Sequence, residues 1–176
     1  MCAGAVPSDD VAAVTVATQI DPASVERLVL PNGLTVLLRA DHSAPVVAIV
    51  THVKAGYFDE TDDIAGIAHV LEHMFFKGTK RRGVGEIAKA TKASGGYLNA
   101  HTIYDNTTYF TVLPSSDFEA GLDIQADAYA NSLIDAGERA KELVVIIREA
   151  TRTAEHPRRS SGAPMVALPA EFTGDC

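Results

Sequence analysis

From His69 to Thr79 the chain reads HVLEHMFFKGT, which puts two histidines and a glutamate within five positions of an otherwise apolar stretch. On a helix at about 100° per residue, His69 and His73 lie one turn apart on one face, with Glu72 between them in projection. Ile64, Ile67, Leu71, Met74 and Phe75 fall around the opposite direction, which predicts a core face there. The small Ala65 and Gly66 flank the polar face one turn earlier and leave space for something to approach. Two imidazoles at i and i+4 can converge on one cation, and neutral imidazole suits Zn2+. A catalytic zinc takes three protein ligands plus a water, so a third ligand is needed. The glutamate between the histidines would then be free to take a proton from that water. The competing reading is a pair of surface histidines on an amphipathic helix.

A third ligand can be sought where a carboxylate sits awkwardly. Glu142 and Glu149 are seven residues apart, two helical turns, so they share a face with Val145 and Ile146 between them. Leu143, Val144 and Ile147 cover the rest, which predicts a helix apolar all round and therefore buried. Buried carboxylates are costly unless paired or metal-bound, so the two glutamates are candidates for a ligand and its supporting partner. The alternative is that they mark the ends of the buried stretch and pair with Lys141 and Arg148.

These residues need elements to hold them. RLVLPNGLTVLL reads as two short strands with Asn32-Gly33 in a tight turn. PVVAIVTHVKAG (45–56) is β-branched and apolar, a strand covered on at least one face. YFDETDD supplies acidic capping candidates for a helix running from about Asp62 to about Lys77. VGEIAKATKAS (84–94) is a second helix, stopped by Gly95-Gly96. YLNAHT and TTYFTVLP are strands joined by a turn at Tyr104-Asp105-Asn106, and SSDFEAGLDIQADAYANSL is a third helix. GERAKELVVIIREATR is a fourth candidate helix, although VVII alone fits a buried strand equally well. Hairpins interrupted by helices predict an α+β fold with a mainly antiparallel sheet and helices packed on one face. The expected organisation is a loosely ordered arm over 1–24, one domain over 25–153 and an irregular tail over 154–176. The pattern stops after Thr153, so the domain is expected to be incomplete at its C-terminus.

The 176 residues suit one domain, and 47% hydrophobic with 22% charged residues reads as soluble and globular. No apolar run approaches the roughly 20 residues needed to span a bilayer. The first 26 residues hold no Lys or Arg and include Asp9, Asp10 and Asp21, so the expected address is cytoplasmic. A formal net charge of −8 argues against a nucleic-acid partner. Lys77, Lys80, Arg81 and Arg82 read as a solvated loop. Cys2 and Cys176, at opposite ends, read as free thiols.

Taken together, the motifs resemble a known family. HVLEHMFFKGT is similar to the inverted zinc motif of the pitrilysin/insulinase metallopeptidases, the inverzincins, which include the mitochondrial processing peptidase. GGYLNAHTIYDNTTYF resembles a second signature of that family, and VLPNGLTVLL and GYFDETDDIAGIAHVLEH follow its opening. The resemblance covers about residues 25 to 152. It implies a glutamate ligand some three-quarters of a hundred residues past the second histidine, and Glu149 lies 76 positions beyond His73. It implies a further acidic residue seven positions earlier, where Glu142 stands, and favours helix over strand for 137–152.

The resemblance also implies roles. His69, His73 and Glu149 would bind one Zn2+ per chain, Glu72 would be the general base, and Glu142 would orient a ligand or water. Asn99 and Ala100 would receive an extended peptide at a strand edge, a case of β-augmentation. His101 is expected to face solvent, and His42, His52 and His156 to be structural or exposed. The implied fold is a metallopeptidase half-domain of the processing-peptidase type. The implied activity is a zinc metalloendopeptidase using metal-activated water on extended peptides. The expected partners are that peptide and a second homologous domain or subunit. The alternative is a non-catalytic half that binds zinc, peptide or a partner half.

Overall fold

The structure, a computed structural model, describes residues 24–155. All but Ser24 of the expected N-terminal arm, and residues 156–176 of the expected tail, lie outside the described residues. The chain divides into two units at Ala44 and Pro45.

The described part of the first unit is a hairpin. Strands β1 (Glu26–Val29) and β2 (Thr35–Leu38) pair antiparallel, with Glu26 opposite Leu38 and Val29 opposite Thr35. The turn sits where Asn32-Gly33 predicts it. Gly33 N–H donates to Leu30 O, Leu34 N–H donates to the Asn32 side chain, and Gly33 has φ +87°.

The second unit is built on a three-stranded antiparallel sheet of β3 (Val46–Val53), β4 (Tyr97–Thr102) and β5 (Thr107–Pro114), in the order β3-β5-β4. Val46 stands opposite Pro114 and Val53 opposite Thr107, while β4 pairs Tyr97 with Val112 and Thr102 with Thr107. β4 is therefore an edge strand of this sheet. The side chains alternate as a strand requires: Thr107, Tyr109, Thr111 and Leu113 of β5 are buried, and the residues between them are not.

Four helices follow the predicted order: α1 (Ile67–Phe75), α2 (Glu86–Ala93), α3 (Phe118–Asn131) and α4 (Ala136–Glu155). The main core joins Phe75, Ile87, Ile124 and Ala128 to Tyr109 of the sheet, and the Phe75 and Tyr109 rings stack at 4.1 Å. Buried Gln125 donates to Thr51 Oγ1 and accepts from Thr111 Oγ1, both at 2.7 Å, which fixes α3 against β3 and β5. A second cluster of Val70, Met74 and Ile146, with Leu143 against it, forms the seam between α1 and α4. The α+β class and the antiparallel sheet with covering helices are as the sequence predicts.

Three expectations need correction. First, α1 begins at Ile67, not near Asp62, because residues 57–64 form two short 3-10 turns, Tyr57–Asp59 and Asp62–Ile64. Gly66 at φ +92° breaks the path before α1, a conformation costly for a residue with a Cβ. Glu60, within the acidic stretch, caps the helix by accepting from Gly66 N–H (2.7 Å) and Ala68 N–H (2.8 Å). Second, the predicted core face is only half right. Met74 and Phe75 are buried, but Ile64, Ile67 and Leu71 are exposed, because α4 packs against Val70 and Met74 and the sheet against Phe75. Third, α4 is not apolar-buried all round: Ile146 is buried whereas Val144 and Val145 are exposed, since only one side meets α1.

Candidate metal centre

One turn of α1 brings the two histidine rings together. Their Nε2 atoms are 3.1 Å apart and the rings stand nearly perpendicular, at 75°. From α4, Glu149 Oε2 comes within 3.7 Å of His69 Nε2 and 3.6 Å of His73 Nε2. For ligands about 2.0–2.2 Å from a tetrahedral cation, the donor atoms are about 3.3–3.6 Å apart, so these spacings fit one ion. Two imidazole nitrogens and a carboxylate oxygen are also the donor types that zinc takes. Among the described residues this is the group of three that could hold a metal ion, and it contains the residues that the family resemblance implies as ligands.

The protons are set by the neighbours. Burial pushes the Glu142 carboxyl up, but hydrogen bonds from Lys77 and His73 outweigh it and hold the group below its ordinary value. As a carboxylate, Glu142 can only accept. His73 Nδ1–H therefore donates to Glu142 Oε2 at 2.9 Å, which leaves the His73 Nε2 lone pair facing the cluster. The other Glu142 oxygen meets the Lys77 ammonium. Burial, then the neighbouring His73, lowers the pKa of His69 and favours the neutral ring that a metal requires.

Lys77 is thus not part of a solvated loop, nor is Arg82, whose guanidinium pairs with Asp127 and Asp123. Asp127 also accepts from Thr79 Oγ1 at 2.8 Å, and Arg81 forks onto Asp123 with two 2.9 Å bonds, so α3 holds the loop after α1. Glu142 pairs with Lys77 rather than with Lys141, which instead meets Glu138.

Glu72 follows the same helix but turns toward the sheet. It is buried, and its Oε2 accepts from Thr102 Oγ1 at 2.5 Å, at the last position of β4. Burial, then the Glu72 carboxylate, pushes the phenols of Tyr57 and Tyr109 up to about 12, so both stay protonated. Asn99 and Ala100 lie three and two positions before Thr102 on the edge strand. The Asn99 side chain is exposed, donates to Tyr97 Oη at 2.8 Å and accepts from Ala100 N–H at 2.9 Å. His101, His42 and His52 are exposed as expected, with His52 Nδ1 3.2 Å from Thr108 Oγ1, and His156 lies outside the described residues. Lys77, Thr102 and Tyr57 are the neighbours that sequence reasoning missed. For Lys77 and Thr102 the available signal was position alone, one turn past His73 and two residues past Ala100.

An antiparallel sheet with covering helices, a His-x-x-Glu-His helix and a glutamate brought to it from a second helix define an α+β domain with a three-donor group that could hold a metal ion. The chain belongs to the insulinase family, peptidase family M16, whose profile matches residues 35–164. It is similar to a probable mitochondrial-processing peptidase subunit beta from Arabidopsis thaliana, at 39% identity over 120 residues, covering 68% of this chain and 23% of the relative. An uncharacterized zinc protease of Bacillus subtilis, YmxG, is 35% identical over 125 residues, covering 71% of this chain and 31% of its own. The crystal structure of a protease from Helicobacter pylori superimposes with a TM-score of 0.63 at 30% identity, over 82% of this chain and 33% of that one. The chain spans about a quarter to a third of the length of these proteins.

Proposed function

We propose that this chain carries the zinc-holding and proton-transferring half of a metalloendopeptidase that cuts extended peptides. The observation that carries the reading is the convergence of His69, His73 and Glu149 beside a buried Glu72 that is free of ion pairs among the described residues. His69, His73 and Glu149 would hold the zinc ion, which when bound would supply Lewis acidity and a more acidic water near neutral pH. His69 and His73 serve as imidazole ligands, and Glu142 orients the His73 ring by accepting from its Nδ1–H. Glu72 takes the proton of the attacking water and returns it to the leaving amine. Asn99 and Ala100 pair with the peptide backbone along the free side of β4. A second homologous domain or subunit is the natural partner, a view supported by relatives named as a beta subunit.

The test is hydrolysis of a long unstructured peptide by the purified zinc-loaded chain, with Glu72→Gln alongside. The variant should keep zinc and lose hydrolysis by about 10²–10⁴-fold, the usual share of a well-placed base. Hydrolysis by Glu72→Gln at the parent rate would remove Glu72 from the chemistry. A chain that binds no zinc would overturn the reading as a whole.

A further inference from the structure

The two oxygens of the Glu72 carboxylate are in different circumstances. Oε2 is held by the Thr102 hydroxyl at 2.5 Å. Oε1 has no hydrogen-bond partner among the described residues. One oxygen is anchored and the other is not held by any described residue.

The anchor is itself fixed from several sides. Thr102 is buried at the end of β4, directly opposite Thr107 at the start of β5, and the two hydroxyls are 3.2 Å apart. Thr107 Oγ1 donates its proton to Ala55 O at 3.0 Å. With that proton committed and a carboxylate able only to accept, the Thr102 proton goes to Glu72. A β-branched side chain on a strand has little χ1 freedom, which suits it to hold a partner in place. Just past Thr102, Tyr57 N–H donates to Ile103 O and Phe58 N–H to Tyr104 O, closing the strand end.

We propose that Thr102 is the positioning residue for Glu72. Its hydroxyl ties one carboxylate oxygen to β4, so the oxygen that takes a proton is set by the same strand that carries Asn99 and Ala100. The base is thereby indexed to the register of a peptide lying on that strand. This rests on the reading of Glu72 as the general base, and it adds a residue that the motif itself does not contain. A strand or helix shift that broke this tie would leave a buried carboxylate oxygen without its partner, which is costly.

Thr102→Val keeps the shape and removes the hydroxyl, while Thr102→Ser keeps the hydroxyl. The first readout needs neither zinc nor turnover: NMR coupling constants across χ1 and χ2 of Glu72 in the full chain. One rotamer is expected in the parent and in Thr102→Ser, and rotamer averaging in Thr102→Val. The second is kinetic, on the zinc-loaded protein. Thr102→Val should lower kcat about 10–100-fold, the range for lost partners at such sites, with KM and zinc affinity unchanged and with Thr102→Ser restoring most of the rate. A Glu72 side chain that stays in one rotamer in Thr102→Val, or a kcat equal to the parent's, overturns the proposal. If Thr102→Val does not fold, Thr102→Ala takes its place, with the same expectations and the same overturning results. A parent chain that loads no zinc would overturn the metallopeptidase reading, while the rotamer measurement still decides the role of Thr102.

Discussion

His73 and Glu142, 69 residues apart in sequence, are joined by a 2.9 Å hydrogen bond from ring Nδ1 to Oε2, and Lys77 holds the other oxygen of the same carboxylate. The bond does two things at once. It fixes the tautomer of a candidate ligand, and it ties α4 to α1 at one end of the seam whose other end brings Glu149 to the histidines. A carboxylate that supports a ligating histidine raises the basicity of the ring and holds its angle.

Glu142→Ala should therefore weaken zinc binding about 10–100-fold without removing a ligand. Competition with a chelator of known affinity measures this directly. Lys77→Met in the same assay separates the two contacts, because it leaves the His73 bond in place. Equal zinc affinity in parent and Glu142→Ala would show that the His73 ring is oriented by something else.

The pH dependence follows from His69, whose pKa burial and His73 lower from the ordinary value of 6.5. The folded protein then binds fewer protons than the unfolded chain as the pH falls through that value. The stability that rests on a neutral His69 is complete above about pH 6.5 and declines as the pH drops below it. Thermal unfolding of the zinc-free chain should show a lower Tm at pH 5.5 than at pH 7.5, and His69→Asn should reduce that difference. A difference that is the same in both proteins would assign it to other groups.

Legibility in the sequence followed the range of the interactions. The pairing of His69 with His73 is a helical repeat of four, and β4 with β5 is a hairpin with alternating burial, so both could be read locally. Glu149 could be assigned as a ligand only through the family resemblance, since nothing in its own turn of helix points to α1. The exposed Ile64, Ile67 and Leu71 show the converse limit. A projection groups residues on a face but does not reveal which neighbour arrives to cover it, and α4 met the Val70 and Met74 side. Thr102 could not be singled out because a threonine in a strand is what β propensity already favours. Lys77 looked like one more charge in a basic run until α4 placed a carboxylate against it.

Gly56 lies where β3 leads into the site, and a Cβ built there would stand 2.3 Å from Ile103 O and 2.6 Å from Asn106 N. Both are backbone atoms, so no side chain can swing aside. Gly56→Ala should destabilise the fold by at least the ~1–3 kcal/mol typical of overpacking. The displaced segment is also the one that follows Thr102, so any peptide cleavage should fall by more than the loss of folded protein explains. Urea unfolding alongside kcat checks both. A variant as stable as the parent would mean that the 55–58 and 103–106 segments do not meet this closely.

Glu149 supplies the sharpest test of the cluster, because its side chain is about 40% exposed and does little for the zinc-free fold. Substitutions at such surface positions usually change stability by less than about 0.5 kcal/mol, so Glu149→Ala should unfold like the parent when zinc is absent. With zinc the two should part. A ligand that binds only the folded state adds about 2.7 kcal/mol at 100 times its Kd, so the parent gains stability that the variant, with a raised Kd, largely forgoes. The affinity loss should exceed the ~10–100-fold expected for an outer partner such as Glu142, since here a donor atom is gone. Melting curves across a zinc titration give both numbers from one experiment. If Glu149→Ala gained as much from zinc as the parent, the third donor would have to come from another residue.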